Sequence, residues 1–225
     1  MTTTGRRVGR PRATARAESG LTAREELLAA AGQLFTTRGY TATTTRAIAE
    51  RAGMRQASMY HYFGGKEDVL AALLEGTVRP SLDLALALAA RDDLPAEARL
   101  WALCRADVAL LCGGPHNLGA LYLLPEVRAE RFADFRAVRD ELKAAYAGLL
   151  AATAAGAELP EDELALRADL VFGLIEGVIL IRREAPDRDP ADFASATADA
   201  ALRVAGCAEH VLPKLRREGE ALHAG

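Results

Sequence analysis

The sequence predicts an all-α protein, on three observations. Ala and Leu dominate while aromatics are sparse, apolar residues recur at helical spacing, and no segment alternates apolar with polar residues as a half-buried strand does. About nine to ten helices are expected, in a small three-helix N-terminal unit followed by a larger bundle. A chain of 225 residues is long enough to bury a sizeable core in such an arrangement.

Residues 1–20 form the first segment. They have no apolar period and carry Arg6, Arg7, Arg10, Arg12 and Arg16, which predicts a basic arm without structure of its own. Within it, Gly9-Arg10-Pro11 resembles the core of an AT-hook, in which Gly and Pro keep the chain extended so that flanking Arg enter a narrow minor groove. A simple phosphate-binding tail is the alternative. Thr22-x-x-Glu25 is a capping box. It opens a helix whose apolar residues, Leu27, Leu28, Ala31, Leu34 and Phe35, fall on one face, and Gly39 is placed to end it as a left-handed cap.

Two short helices follow, Thr44 to Arg51 and Arg55 to Phe63, joined by the Gly-containing turn Ala52-Gly53-Met54. This is the grammar of a helix-turn-helix. A fourth helix starts near Lys66 and is expected to stop at Pro80, between an N-terminal domain at 21–66 and a body at 67–225. In the body, helices are expected at 82–90, 96–112, 117–124, 128–155, 161–184 and 190–207, with a tail helix at 209–220. Pro95, Gly113-Gly114-Pro115, Pro125, Gly156 with Pro160, Pro186 with Pro190, and Pro213 punctuate them.

The net charge of −3 conceals an uneven distribution. Residues 1–65 hold ten arginines against four glutamates, whereas residues 66–225 hold 18 basic against 27 acidic side chains. A basic N-terminal third on an acidic body is an electrostatic footprint for a polyanion. Three cysteines, with no C-x-x-C, argue against a disulfide framework. No secretory signal opens the chain, and its most apolar stretch, Leu170 to Ile181, is interrupted by Glu176 and too short for a bilayer. A cytoplasmic protein without a membrane partner, metal or cofactor is expected.

In the second short helix, Met59 and Phe63 should be buried over Ile48, which leaves Arg55, Gln56, Ser58, His61 and Tyr62 outward. Gln pairs bidentately with adenine and Arg with guanine, so Gln56 and Arg55 are the candidates for reading bases. Tyr60, Tyr62 and Lys66 are better placed for phosphates. His61 has no second ligand at i±3 or i±4, which favours a DNA contact over a metal. The hydroxyls of Thr43, Thr44 and Thr45 can cap the first of the two short helices or bond a phosphate, with capping preferred for Thr43. Arg46 can reach a groove edge or pair with Glu50 at i+4.

Tyr40, Thr43, Thr44, Arg46, Ile48, Ala49, Ala52 and Gly53, followed by Ser58 to Asp68 (SMYHYFGGKED), resemble the N-terminal domain of the TetR family of bacterial regulators. The likeness spans residues 22–75. It implies that Thr44, Thr45, Arg46, Gln56, Ala57, Ser58, Tyr60, Tyr62 and Lys66 touch DNA. Arg55 stands where Ser is usual in the family, which removes a side-chain cap and adds a charge, and Ala57 stands where Gly is frequent. The same resemblance implies a C-terminal bundle that forms a homodimer and often holds a small molecule.

The bundle residues partly support that implication. Leu164, Ala168, Val171, Ile175 and Val178 make one helical stripe, and Ala194, Ala198, Ala201 and Leu202 make a small-residue face. Together they are candidates for a four-helix dimer interface, with intramolecular core as the alternative. Trp101, Cys104, His116, Asn117, Tyr122, Phe135, Tyr146, Phe172 and Glu176 are candidates for the lining of an effector pocket. The function expected is a homodimeric repressor that a small-molecule effector releases from palindromic double-stranded DNA. An architectural DNA binder is the alternative; no catalytic constellation points to an enzyme.

Overall fold

Nine α-helices joined by short 3-10 turns account for the described residues, 20–222, of the computed structural model. They are α1 (Ala23–Arg38), α2 (Thr45–Arg51), α3 (Gln56–Met59), α4 (Lys66–Ala89), α5 (Ala96–Cys112), α6 (Ala133–Ala151), α7 (Glu161–Glu184), α8 (Pro190–Ala205) and α9 (Leu212–Ala221). No strand occurs among the described residues, as the sequence predicts. The arm with Arg6, Arg7, Arg10 and Arg12 lies outside them.

The capping box forms as expected. The Glu25 N–H donates to Thr22 Oγ1 at 3.3 Å, and the Thr22 N–H donates to Glu25 Oε2 at 2.7 Å. Gly39 ends α1 at φ 87° and ψ 152°, so it is a positive-φ stop in an extended conformation open to glycine, and not the left-handed cap expected.

Four expectations for the helices need correction. First, α4 runs unbroken through Pro80. Proline withholds the N–H that the Gly76 carbonyl would accept, but both residues face solvent, where water takes the acceptor. Ten buried side chains from Val69 to Leu88 hold the helix on both sides of the ring. Second, the helix expected at 117–124 is a 3-10 turn (Leu118–Leu123), because Pro125 forces Leu124 into an extended conformation. Third, two more 3-10 turns (Pro125–Arg128 and Glu130–Phe132) delay α6 to Ala133, and it ends at Ala151. Fourth, the second short helix is regular only over Gln56–Met59; beyond it the chain tightens into turns, with the His61 N–H donating to Ser58 O.

In the bundle, α5 is central and touches α4, α6, α7, α8 and α9. Its Arg99 side chain is buried and donates to the Leu88 and Ala89 carbonyls, placing a cation on the C-terminus of α4. From α7, Arg182 does the same for α5, donating to Leu111 O at 2.8 Å and Gly114 O at 2.6 Å. Trp101 is fully buried and donates through Nε1 to Asp199 Oδ1 at 2.8 Å, while Asp199 also pairs with Arg216 of α9.

Gly219 of α9 lies flat against the Trp101 ring. A Cβ there would press into the ring and stand 3.2 Å from the Ala98 carbonyl oxygen. Alanine gains about 1 kcal/mol in helix propensity, but forcing atoms into a packed core costs about 1–3 kcal/mol. The ring is pinned by Asp199 and cannot yield, so the second effect wins. Gly219→Ala is expected to lower stability by about 1–2 kcal/mol in denaturant unfolding and to make the C-terminus more susceptible to protease. A variant as stable as the parent would show that α9 is loosely docked.

Candidate nucleic-acid interface

The helix-turn-helix is built on a small apolar platform. Ile48 and Met59 are fully inaccessible and Phe63 nearly so, which fixes the rotation of α2 and α3 as expected. Phe35 of α1 and Tyr40 of the turn after it close the platform, their ring centroids 5.0 Å apart in an edge-on contact. The turn between α2 and α3 needs a positive φ, which Gly53 supplies at 71°. Arg51 donates to Gln33 Oε1 at 2.6 Å and ties α2 to α1.

With those faces inward, the outward surface carries Thr44, Arg46, Arg55, Gln56, Ala57, Tyr60, His61 and Tyr62, all exposed, with Thr45 and Ser58 half-buried. Thr44 caps α2, accepting from the Ala47 N–H at 3.1 Å. Thr43 does not cap, contrary to expectation. It is buried, and its hydroxyl donates to Gly39 O at 2.8 Å, bracing the α1–α2 corner. Arg55 occupies the cap position of α3 and makes no side-chain cap, so its guanidinium is left for other partners.

Three side chains are joined across the two helices. Gln56 Nε2 donates to Thr45 Oγ1 at 2.9 Å and lies 3.4 Å from the Tyr60 hydroxyl, which is also 3.4 Å from Thr45 Oγ1. The Thr45 and Gln56 bonds hold the Tyr60 pKa below its ordinary value. This Thr45–Gln56–Tyr60 triangle is not readable from the sequence, because its members are eleven and four residues apart on separate elements. Arg46 pairs with Glu50 at 2.8 Å on the solvent side. Lys66 donates to Tyr40 O at 2.9 Å with its ammonium 4.2 Å from the Tyr40 ring centroid, so a phosphate must compete with a partner already in place.

The body residues separate into two groups. Tyr122, Phe135 and Glu176 line one groove of about 640 Å³ between α6, α7 and the 122–128 segment. Glu176 is partnered there by Arg139, which donates to its two oxygens at 2.6 and 2.5 Å and was not singled out by sequence reasoning. The others lie elsewhere. Trp101, Cys104, Tyr146 and Phe172 are core, Asn117 donates to Ile179 O at 2.8 Å, and His116 sits at the junction of α1 and the bundle. Burial pushes the thiols of Cys104, Cys112 and Cys207 up, and no cluster of metal-ligating side chains occurs among the described residues.

The stripe expected to face a second copy instead faces inward. Ala168, Val171, Ile175, Val178, Ala194, Ala198, Ala201 and Leu202 are buried within the single chain, and Leu164 is half-buried against the same core. A helix with apolar residues on two faces offers no sequence signal for which one the chain itself covers. The outward face of α7 is Leu166, Leu170, Gly173, Gly177, Leu180 and Ile181, and its large members are 43–55% exposed. Among the described residues no helix is long and apolar enough to cross a membrane.

This architecture has known counterparts. A family model described as bacterial regulatory proteins, tetR family, matches residues 27–73. The structure is similar to that of Mycobacterium smegmatis AmtR, at 45% identity over 92% of this chain and 96% of that one, with a TM-score of 0.83. It is also similar to a tetR-family regulatory protein from Rhodococcus RHA1, at 26% identity over 84% of this chain and all of the other, with a TM-score of 0.71. The HTH-type transcriptional repressor KstR2 of Mycobacterium tuberculosis is 47% identical over 53 residues; the match spans only about a quarter of that relative's length. The Rhodococcus protein is described as a regulatory protein and KstR2 as a transcriptional repressor. With the family's motif on α1–α4 and a 45%-identical relative matched over nearly its whole length, the chain belongs to the tetR family of bacterial regulatory proteins.

Proposed function

We propose that the protein is a homodimeric transcriptional repressor that binds a palindromic operator and is released by a small-molecule effector held in the bundle. The observation that carries the DNA-binding part is the polar, cationic outer face of α2 and α3 over its buried Ile48–Met59–Phe63 platform. Gln56 and Arg55 read base edges; Thr44, Thr45, Arg46, Tyr60, Tyr62 and Lys66 hold phosphates; Ala57, Ser58 and His61 complete the surface that enters the major groove. The Thr45–Gln56–Tyr60 triangle supports this assignment, because it limits the rotamers of Gln56 before DNA arrives. Arg6, Arg7, Arg10 and Arg12 add contacts beside the main site, in the minor groove or on phosphates.

Two copies pair through the exposed face of α7, with the outer edge of α8 beside it. In the dimer the two α3 helices sit about 34–36 Å apart, one turn of DNA. The effector occupies the groove lined by Tyr122, Phe135 and Glu176. The 122–131 stretch, part of which walls that groove, touches both the N-terminal unit and α4: Thr41 lies 3.3 Å from Glu126, Arg131 pairs with Asp68 of α4, and Tyr122 donates to Thr77 of α4 at 2.8 Å. Occupancy that displaces the wall therefore displaces the reading heads.

A footprint on genomic fragments is expected to protect a defined palindrome, whereas diffuse coverage would favour an architectural binder. On the protected sequence Gln56→Ala is expected to cost about 1–3 kcal/mol of affinity and much less on random DNA, as read by gel shift at fixed salt. Equal losses on both would remove the base-reading role from Gln56.

A further inference from the structure

The groove between α6, α7 and the 122–128 segment has a charge pattern that identifies the chemistry of its occupant, granted the proposal that an effector binds there. At about 640 Å³ it is the size of a site for a drug-sized molecule. One part is apolar, made by Leu124, Val127, Phe135, Ile179 and Leu180. The other carries three arginines, Arg128, Arg136 and Arg139, against the single carboxylate of Glu176.

These arginines are not equally occupied. Arg136 is spent on backbone, donating to Val127 O at 2.8 Å and Ala129 O at 2.7 Å. Arg139 is held by Glu176, with Asp140 3.8 Å away and its guanidinium 5.1 Å from the centroid of the Phe172 ring. Arg128 is exposed at the mouth and makes no ion pair among the described residues. A cation without a counter-charge beside an apolar cleft favours an anion with an apolar body, whereas a cationic or neutral ligand would leave Arg128 unmatched.

We propose that the groove binds an anionic amphipath, with its acidic head on Arg128 and within reach of Arg139, and its aryl or acyl body on the Leu124–Phe135–Ile179 surface. Gly173, Gly177 and Leu180 line the groove and also lie on the exposed stripe of α7. In the dimer the second copy therefore stands at the groove's outer edge, and the ligand and the partner subunit share these three residues.

Two fluorescent probes that differ only in charge separate the possibilities: 8-anilinonaphthalene-1-sulfonate, which carries a sulfonate, and N-phenyl-1-naphthylamine, which has the same rings without it. With the full chain at physiological salt, the sulfonate is expected to bind saturably, one per chain and about tenfold more tightly than the neutral probe. Arg128→Gln should weaken the sulfonate about tenfold and leave the neutral probe unchanged. The double variant Arg139→Gln/Glu176→Gln keeps an uncharged pair and should weaken the sulfonate only modestly. Equal affinities for the two probes, or an Arg128→Gln variant that binds the sulfonate as the parent does, would overturn the proposal. Operator binding and dimer mass, measured on the same samples, report separately on the repressor reading.

Discussion

Leu170→Glu is expected to leave the fold intact and separate the two copies of the proposed dimer. Leu170 is 52% exposed on the chain by itself, so the substitution removes no core contact and should change the stability of the isolated fold by no more than about 0.5 kcal/mol. At the centre of a stripe with Leu166 and Ile181, the same carboxylate would have to be buried without a partner each time two copies meet. A single helix-turn-helix then binds half an operator, and the loss of the linked second contact should weaken operator binding about 10²–10⁴-fold. Sedimentation velocity should give the mass of one chain while circular dichroism and thermal unfolding stay close to the parent. A dimer of unchanged mass that still grips the operator would place the interface on another face.

The largest pH effect is expected at Asp107. Its carboxylate is buried between α4, α5 and α6, accepting from the Ser81 hydroxyl at 2.8 Å and the Tyr146 hydroxyl at 3.0 Å, and it forms no ion pair among the described residues. Burial raises its pKa to about 6; the two hydroxyls oppose that rise, and Glu176 adds to it. The folded pKa thus lies above the unfolded one. Below pH 4 the group is protonated in both states and costs nothing. Between pH 4 and 6 the unfolded chain releases the proton first, so stability falls as pH rises, and above pH 6 the full cost of about 3 kcal/mol persists.

Asp107→Asn removes the charge and keeps an oxygen acceptor for one hydroxyl and an amide donor for the other, since both Ser and Tyr oxygens can accept. The variant is expected to lose this contribution to the pH 4–6 slope and to be more stable than the parent by about 1–3 kcal/mol at pH 7. Urea unfolding at a series of pH values tests it. A parent and variant with the same slope would mean that Asp107 is ionised with ordinary ease.

Local signals in the sequence carried much of the fold. The Thr22–Glu25 capping box, the Gly53 turn and the apolar period of α1 are short-range features, and each formed where it was expected. What escaped depends on the environment. Pro80 reads as a stop in any sequence, yet the solvent position of Gly76 and the burial on both sides let α4 continue. The two apolar faces of α7 look alike in a string of letters; only the packing of α5, α6 and α8 decides that Val171 and Ile175 are inside and Leu170 is out. For the candidate sites, residue types single out Gln56, Arg55 and Glu176 as candidates. Thr45 and Tyr60 were assigned without their bond to Gln56, and Arg139, 37 positions before Glu176, was not assigned at all.

The continuity of α4 has a mechanical consequence. A helix broken at Pro80 would act as two short rods with a joint, and a push at one end would be lost in the joint. A single helix of 24 residues is a stiff lever about 36 Å long. It is gripped near its middle where Tyr122 meets Thr77, its first residue, Lys66, is fastened to the reading head through Tyr40, and Asp68 pairs with Arg131 of the bundle. A tilt of about 5° about that grip moves the Lys66 end, roughly 17 Å away, by roughly 1.5 Å. In the proposed dimer the two rods swing in opposite directions, so the error in head spacing doubles to roughly 3 Å against a 34–36 Å repeat of the DNA. A displacement too small to disturb the bundle core would thus become, at the operator, a misfit of nearly one base pair.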